Sequence, residues 1–387
     1  MKAHLVSGAT GFVGGALVLE LLQATGAPVV CIVRDSGRED PRHRLLNGLE
    51  SAAAAYQLPS GLVRENRHRI HVSVGDITGP VDAITLPGVP IGEVWHSAAS
   101  LRYEDRHKAE IFTTNVGGTR TIIDLTRRSG AHTLNHISTA YVAGRMTGRI
   151  REEIHPGEHP TNNLYELSKI EGEGLVSAAR SDFAVRILRP SIVIGHSKTY
   201  AATNLTGMYG FIRELLRFEA QVSRRLGSFL TMRQVRILAD PDAALNLVPI
   251  DDVVRQAVAV SQAHCQAPVV HLTNATPAKV GAVLAVLFRR LGLRAPTFVD
   301  SSDHFSSIDA EFDKGINFYG SYLAGHKEFD QQAAAAIGTI SSDVGDESML
   351  RYINWYLARN GRKNGRRPVA ATLARPAALP DTLEMAG

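Results

Sequence analysis

Short apolar runs alternate with stretches in which apolar residues recur every three or four positions along the first two thirds of the chain. Residues 4–7 read as a strand, a glycine turn follows, and an amphipathic helix covers about 13–23. The unbroken apolar run 29–33 reads as a second, buried strand, and Pro41 opens a helix that reaches about Tyr56. Further strands are predicted at 70–74, 93–97, 133–137 and 184–188, with helices at 108–128 and 162–179. Such alternation predicts an α/β fold with a doubly wound parallel sheet covered on both faces.

From about Gly195 the alternation fails. A helix is predicted at 204–220, and 251–263, 271–273 and 277–291 read as a return to the sheet domain. The segment 303–336 carries aromatic and acidic residues without a repeating unit. The expected organisation is a nucleotide-binding domain over 1–194 and 241–294, a substrate-binding subdomain over 195–240 and 295–360, and a disordered tail over 361–387.

Composition narrows the function classes only a little. A net charge of +4 over 387 residues gives no ground for a nucleic-acid partner. Cys31 and Cys265 make neither a disulfide framework nor a zinc site, and no metal is expected. No apolar stretch approaches the ~20 residues of a membrane span. The first strand begins almost at Met1, which leaves no room for a signal peptide, so the cytoplasm is the expected compartment.

The chemistry-bearing residues begin with the turn after the first strand. Gly8, Gly11 and Gly14 there suit a tight turn, close approach to a pyrophosphate and close helix–sheet packing, with Thr10, Phe12 and Val13 completing the loop. The helix start presents free N–H groups to the anion. This pattern predicts a Rossmann-type dinucleotide site. Arg34 stands first after the second strand, with Arg44 nearby, and suits a ribose 2′-phosphate, so NADPH is expected. Asp35 keeps NADH open. Asp76 and Ile77, after the third strand, are placed beside the adenine, or else end the strand as turn residues.

Tyr165 and Lys169 share one helix face, where the ammonium is expected to lower the phenol pKa and ease proton delivery. Thr139, at the carboxyl end of the strand 133–137, can donate to a substrate oxygen, with Ser138 its competitor. Ser97, Ala98 and Ala99 let backbone approach the cofactor. Asn115 is read as anchoring its helix and orienting Lys169 through water, or else as simple helix capping or packing. Pro190, Ser191 and Val193 complete the cofactor set, and Ser100, Tyr141 and Met208 are candidate substrate contacts.

Taken in order, the glycine turn, His96-Ser-Ala-Ala99, Asn115-Val-Gly-Gly-Thr119, Ser138-Thr-Ala-Tyr-Val142, Tyr165-x-x-x-Lys169 and Arg189-Pro-Ser-Ile-Val-Ile-Gly195 resemble the extended short-chain dehydrogenase/reductases. Within them the chain resembles the thioester reductase and fatty acyl-CoA reductase branch, on Ser191–Thr199, Asn246–Val253 and Phe318-Tyr-Gly-Ser-Tyr322. Ser7 replaces the usual Thr, and Tyr200 stands where that branch has Gly. The resemblance implies NADPH-dependent reduction of an acyl thioester, held on CoA or a carrier protein, to an aldehyde or alcohol. Arg213, Arg217, Arg224, Arg225, Arg233 and Arg236 would then meet phosphopantetheine or an acidic carrier, or else form a solvated helix face. A ketone or aldehyde on a free metabolite is the competing substrate. A cofactor-sensing regulator without chemistry is the competing class, and the retained Thr139, Tyr165 and Lys169 argue against it. A homodimer is the default for a soluble oligomer.

Overall fold

The computed structural model describes residues 1–155 and 157–360; the tail read at 361–387 lies outside them. Seven strands form the main sheet: β1 (Ala3–Ser7), β2 (Val29–Val33), β3 (Ile70–Val74), β4 (Ile91–His96), β5 (Thr133–Ile137), β6 (Ala184–Pro190) and β7 (Val269–Leu272). Their order is β7-β6-β5-β4-β1-β2-β3, and every neighbouring pair is parallel. All five residues of β2 are buried, as expected of a strand covered on both faces. The chain moves outward from β1 through β2 to β3, then returns to place β4 on the other side of β1. The sheet therefore has its switch point between β1 and β4, where doubly wound folds bind ligands.

Helices cover both faces. On one lie α1 (Phe12–Ala24), α2 (Pro41–Ala55) and, later in the chain, the helix Ile250–Gln262, whose Val253 and Ala257 join Leu17, Leu21 and Leu45 in one core. On the other lie α3 (Gly118–Ser129) and α4 (Leu164–Ala178), packed through Ile122, Leu125 and Val176. The helix expected over 108–128 is interrupted by a π-helical turn, Thr113–Gly117. Such turns are rare and concentrate at functional sites.

A second core stands beside the carboxyl edge of the sheet. It is built by α5 (Met208–Leu226) and, beyond the helix Ile250–Gln262 (α6), by α7 (Val280–Arg290), α8 (Ser307–Leu323) and α9 (Asp346–Asn360). The α5 helix starts four residues later than its sequence suggests, because Gly207 adopts a φ of +55° that ends the preceding loop. Within 303–336, Ser306 and Asp309 cap α8 reciprocally, and Asp309 also accepts from the Arg236 backbone N–H at 2.8 Å. Val283, Leu284 and Leu287 of α7 pack in this second core, although their place in the sequence groups them with the sheet domain. Among the described residues no helix is long and apolar enough to cross a membrane.

Candidate active site

The turn after β1 is shaped by what a side chain would strike. Gly8 has φ +75°, and a Cβ there would lie 2.7 Å from the Ala98 backbone nitrogen after β4. A Cβ on Gly14 would collide with the Gly8 carbonyl. The Gly11 N–H closes the turn on the Gly8 carbonyl at 2.8 Å, and no side chain caps the start of α1. The free N–H groups of that first turn, at the switch point, fit a pyrophosphate. Thr10 is exposed beside them.

Arg34 follows β2 with 73% of its side chain exposed and lies 3.9 Å from the Asp76 carboxylate. Arg44 donates to the Ser36 hydroxyl and the Arg34 carbonyl, which ties the loop to α2. Asp35 accepts from the Gly37 N–H at 2.8 Å. Asp76 accepts from both the N–H and the hydroxyl of Thr78 at 2.9 Å, so it closes its own turn. Ile77 is buried and packs on Gly118.

Thr139, Tyr165 and Lys169 converge on one cavity of about 510 Å³, together with Gly8, Gly11, Phe12, Val13, Ser97, Ala99, Tyr141, Pro190, Ser191, Val193 and Met208. Thr10, Arg34, Arg44, Asp76, Ile77, Ala98, Ser100 and Asn115 do not line it. Thr139 caps the short turn Ala140–Ala143 and accepts from the Tyr141 N–H at 3.2 Å, which leaves its hydroxyl hydrogen able to donate. Ser138 donates its N–H to the Leu188 carbonyl at 2.7 Å, while its hydroxyl is buried without a partner among the described residues. Lys169 donates to the Ile137 carbonyl at 2.8 Å.

Burial pulls the Lys169 pKa down to about 8, opposed by the Glu173 carboxylate. Burial, then the adjacent Glu166 carboxylate, pushes the Tyr165 phenol well above its ordinary value. This corrects the expectation that Lys169 lowers it. The Lys169 ammonium is engaged by the Ile137 carbonyl, and burial of the phenol with the Glu166 carboxylate beside it, not Lys169, sets the direction of the shift. Tyr165 is thus held as a neutral phenol, the form that donates a proton.

Asn115, in the π-helical turn, acts as a clamp. Its side-chain carbonyl accepts from the Ser100 N–H at 2.7 Å, and its amide donates to the Ser100 carbonyl at 3.1 Å and the Ser168 hydroxyl at 2.9 Å. It thereby joins the loop after β4 to α4, the helix of Tyr165 and Lys169. The Ser100 hydroxyl donates to Glu110 at 3.2 Å.

From this polar wall the cavity runs into the second core, past buried Leu247, Leu284, Leu287, Met349 and Ile353. Beyond Lys169, its charged lining residues are Arg213 and Glu214. Tyr103 stacks on Phe318 at 3.8 Å, and Tyr141 meets Tyr322 edge-on at 4.6 Å, so aromatic pairs join the two bodies across it. Tyr103 and the apolar lining of α7 and α9 are not legible in the sequence. Tyr103 has no local signature, whereas Phe318 and Tyr322 stand in an aromatic motif whose spatial partner only the fold reveals. Of the arginines named above, Arg217 pairs with Glu214 at 2.9 Å, Arg225 with Glu311 at 2.6 Å and Arg236 with Asp309 at 3.3 Å. Much of that basic charge is therefore neutralised locally. No cluster of metal-ligating side chains occurs among the described residues.

Residues 6–257 match an NAD-binding family model described as male sterility protein. The chain is 28% identical over 214 residues to a linear gramicidin synthase of Brevibacillus parabrevis, covering 52% of this chain and 4% of that protein. It is 25% identical over 249 residues to the fatty acyl-CoA reductase wat of Drosophila melanogaster, covering 54% and 46% respectively. It thus spans less than half the length of each of these relatives. In structure it resembles a thiolation-reductase di-domain from an archaeal non-ribosomal peptide synthetase, with a TM-score of 0.73 and 18% identity over 93% of this chain and 76% of that one. That likeness bears on the fold.

Proposed function

Because the chain belongs to the male sterility protein family, a thioester reductase-like branch of the extended short-chain dehydrogenase/reductases, we propose that it is an NADPH-dependent reductase of acyl thioesters carried on CoA or a carrier protein. The observation that carries this reading is the cavity in which Thr139, Tyr165 and Lys169 share a wall with the glycine turn and which continues as an apolar chamber. The wall suits a carbonyl beside a nicotinamide. The chamber suits an acyl chain, because burying apolar surface there is favourable and no charge opposes it beyond Arg213 and Glu214.

The residues present fit the cofactor. Gly8, Gly11 and the start of α1 would hold the pyrophosphate, Arg34 and Arg44 the 2′-phosphate, and Ser97, Ala99, Pro190 and Val193 the nicotinamide end. When bound, NADPH supplies the hydride that reaches the carbonyl carbon. Thr139 donates a hydrogen bond to the carbonyl oxygen as negative charge develops on it. Tyr165 gives that oxygen its proton, and Lys169 stands as the neighbouring positive charge. The resulting hemithioacetal loses its thiol and leaves an aldehyde, and a second round gives an alcohol.

Incubation with NADPH or NADH and a panel of acyl thioesters, aldehydes and ketones tests the proposal. Thiol release matched to NADPH oxidation is the expected result. Turnover of carbonyls without thiol release from any thioester would replace this reading with that of a ketone or aldehyde reductase acting on a free metabolite. Preference for NADH would remove the assignment of Arg34 and Arg44.

A further inference from the structure

The second core ends, away from the cavity, in a tip that the reductase reading does not use. α5 runs from Met208, which lines the cavity, to Leu226, and its 19 residues span about 28 Å. The chain then turns at Gly227, forms the short helix Phe229–Met232 and returns as the strand Arg236–Leu238. The Arg294 N–H donates to the Leu230 carbonyl at 3.2 Å, and Thr297–Val299 pairs with Arg236–Leu238. The residues that follow α7 therefore lie against this turn.

The tip is basic and apolar at once. No Asp or Glu stands between Glu219 and Asp240, or between Asp252 and Asp300, whereas these segments bring Arg224, Arg225, Arg233, Arg236, Arg289, Arg290 and Arg294. Arg225 pairs with Glu311, Arg236 with Asp309, and Arg290 donates to Asn354. Arg224, Arg233, Arg289 and Arg294 are exposed and have no acidic partner among the described residues. Six large hydrophobic side chains are exposed among the described residues, and three of them lie here: Leu226 at 50%, Met232 at 67% and Leu238 at 39%. Exposed apolar side chains rimmed by charge mark an interaction surface. Arginines in the last turns of α5 and α7 answer the partial negative charge of a helix C-terminus. Arg233 and Arg294 lie beyond both helices, and the dipole gives no reason to expose Leu226 and Met232.

We propose that this tip seats the protein on an anionic lipid surface. Leu226 and Met232 enter the headgroup region, and Arg224, Arg233, Arg289 and Arg294 meet the lipid phosphates. The guanidinium fork matches phosphate geometry, so arginine suits this role. A purely ionic partner such as a nucleic acid would leave the two apolar side chains unanswered. A carrier protein seated here would have to send its thioester back along the whole of α5 to reach the cavity, a demand that a lipid surface does not make. None of these residues lines the cavity, so the role of the tip is independent of the reductase reading.

Cosedimentation of the full chain with lipid vesicles tests the proposal. Vesicles of phosphatidylcholine mixed with phosphatidylglycerol should bind the wild type, and pure phosphatidylcholine should bind it at least ~10-fold more weakly. Binding to the mixed vesicles should fall as salt rises. Met232→Ser removes an apolar contact, and the double variant Arg233→Gln/Arg294→Gln removes two charges. Each should weaken binding to the mixed vesicles at least ~10-fold. The substituted side chains are exposed, so both variants should keep the wild-type melting temperature. Mixed vesicles ignored by the wild type, or bound equally well by either folded variant, would overturn the proposal. Binding to heparin without binding to the mixed vesicles would also overturn it and assign the tip to a soluble polyanion.

Discussion

Two neighbouring side chains in the wall are displaced by burial in ways that suit reduction. Tyr165 is held neutral and Lys169 is left with a pKa of about 8. In the proposed mechanism the functional form of Lys169 is the ammonium, which is complete below that pKa and lost above it. Reductase turnover should therefore fall as pH rises through about 8, which a kcat profile between pH 6 and 10 would show; a flat profile would separate Lys169 from the chemistry. If the proposed mechanism holds, Tyr165→Phe should keep nicotinamide-cofactor affinity and lose ~10²-fold or more in kcat, because only the proposed proton donor is removed. Near-normal turnover would reassign the donor. These two residues are legible in the sequence because a four-residue spacing on a helix fixes their face. Their ionisation is not legible. It depends on how the fold buries the phenol, in a cavity whose lining also includes Tyr322, 157 positions away.

At the scale of elements, the β1–α1 turn works because three glycines leave out side chains. Gly14→Ala would drive a methyl group into the Gly8 carbonyl, and a backbone neighbour cannot swing aside as a side chain can. We expect nicotinamide dinucleotide binding at least ~10-fold weaker and a lower melting temperature, measured by fluorescence titration and thermal unfolding. Binding equal to wild type would mean the turn is looser than described. This element is visible in the sequence as a strand, a glycine pattern and a helix in close succession. By contrast, α8 is hard to read. Its buried positions Phe312, Ile316 and Leu323 keep a helical period, and Ser306 with Asp309 marks its start, but half-buried aromatic residues at 318, 319 and 322 blur the pattern. The π-helical turn at Asn115 is hard to read, since a phase shift confined to the five residues Thr113–Gly117 is too short to stand out in hydrophobic spacing.

The whole molecule buries several histidines in neutral form. Burial lowers His96 to about 3, and His155 and His271 to about 4, while His136 falls well below its ordinary value. Unfolding returns each to about 6.5. The unfolded chain then binds more protons below that pH, so the stability these groups contribute is complete above about 6.5 and is lost as pH falls toward 4. Thermal melts from pH 7.5 to 5 should show a progressive decline in melting temperature that begins near 6.5. A constant melting temperature across that range would mean these rings stay hydrated or charged in the native protein.

The arrangement of the two cores has a bearing on how such a protein could diversify. The sheet and its two flanking hydrophobic layers carry the glycine turn on one face and the Tyr165 helix on the other, and a separate core supplies the far side of the chamber. Mutations confined to Leu284, Leu287 or Ile353 can recontour what is accepted while the machinery for reduction keeps its own support. Selectivity and reactivity are then free to drift independently, and a library restricted to α7 and α9 would be the economical place to search for altered substrate range.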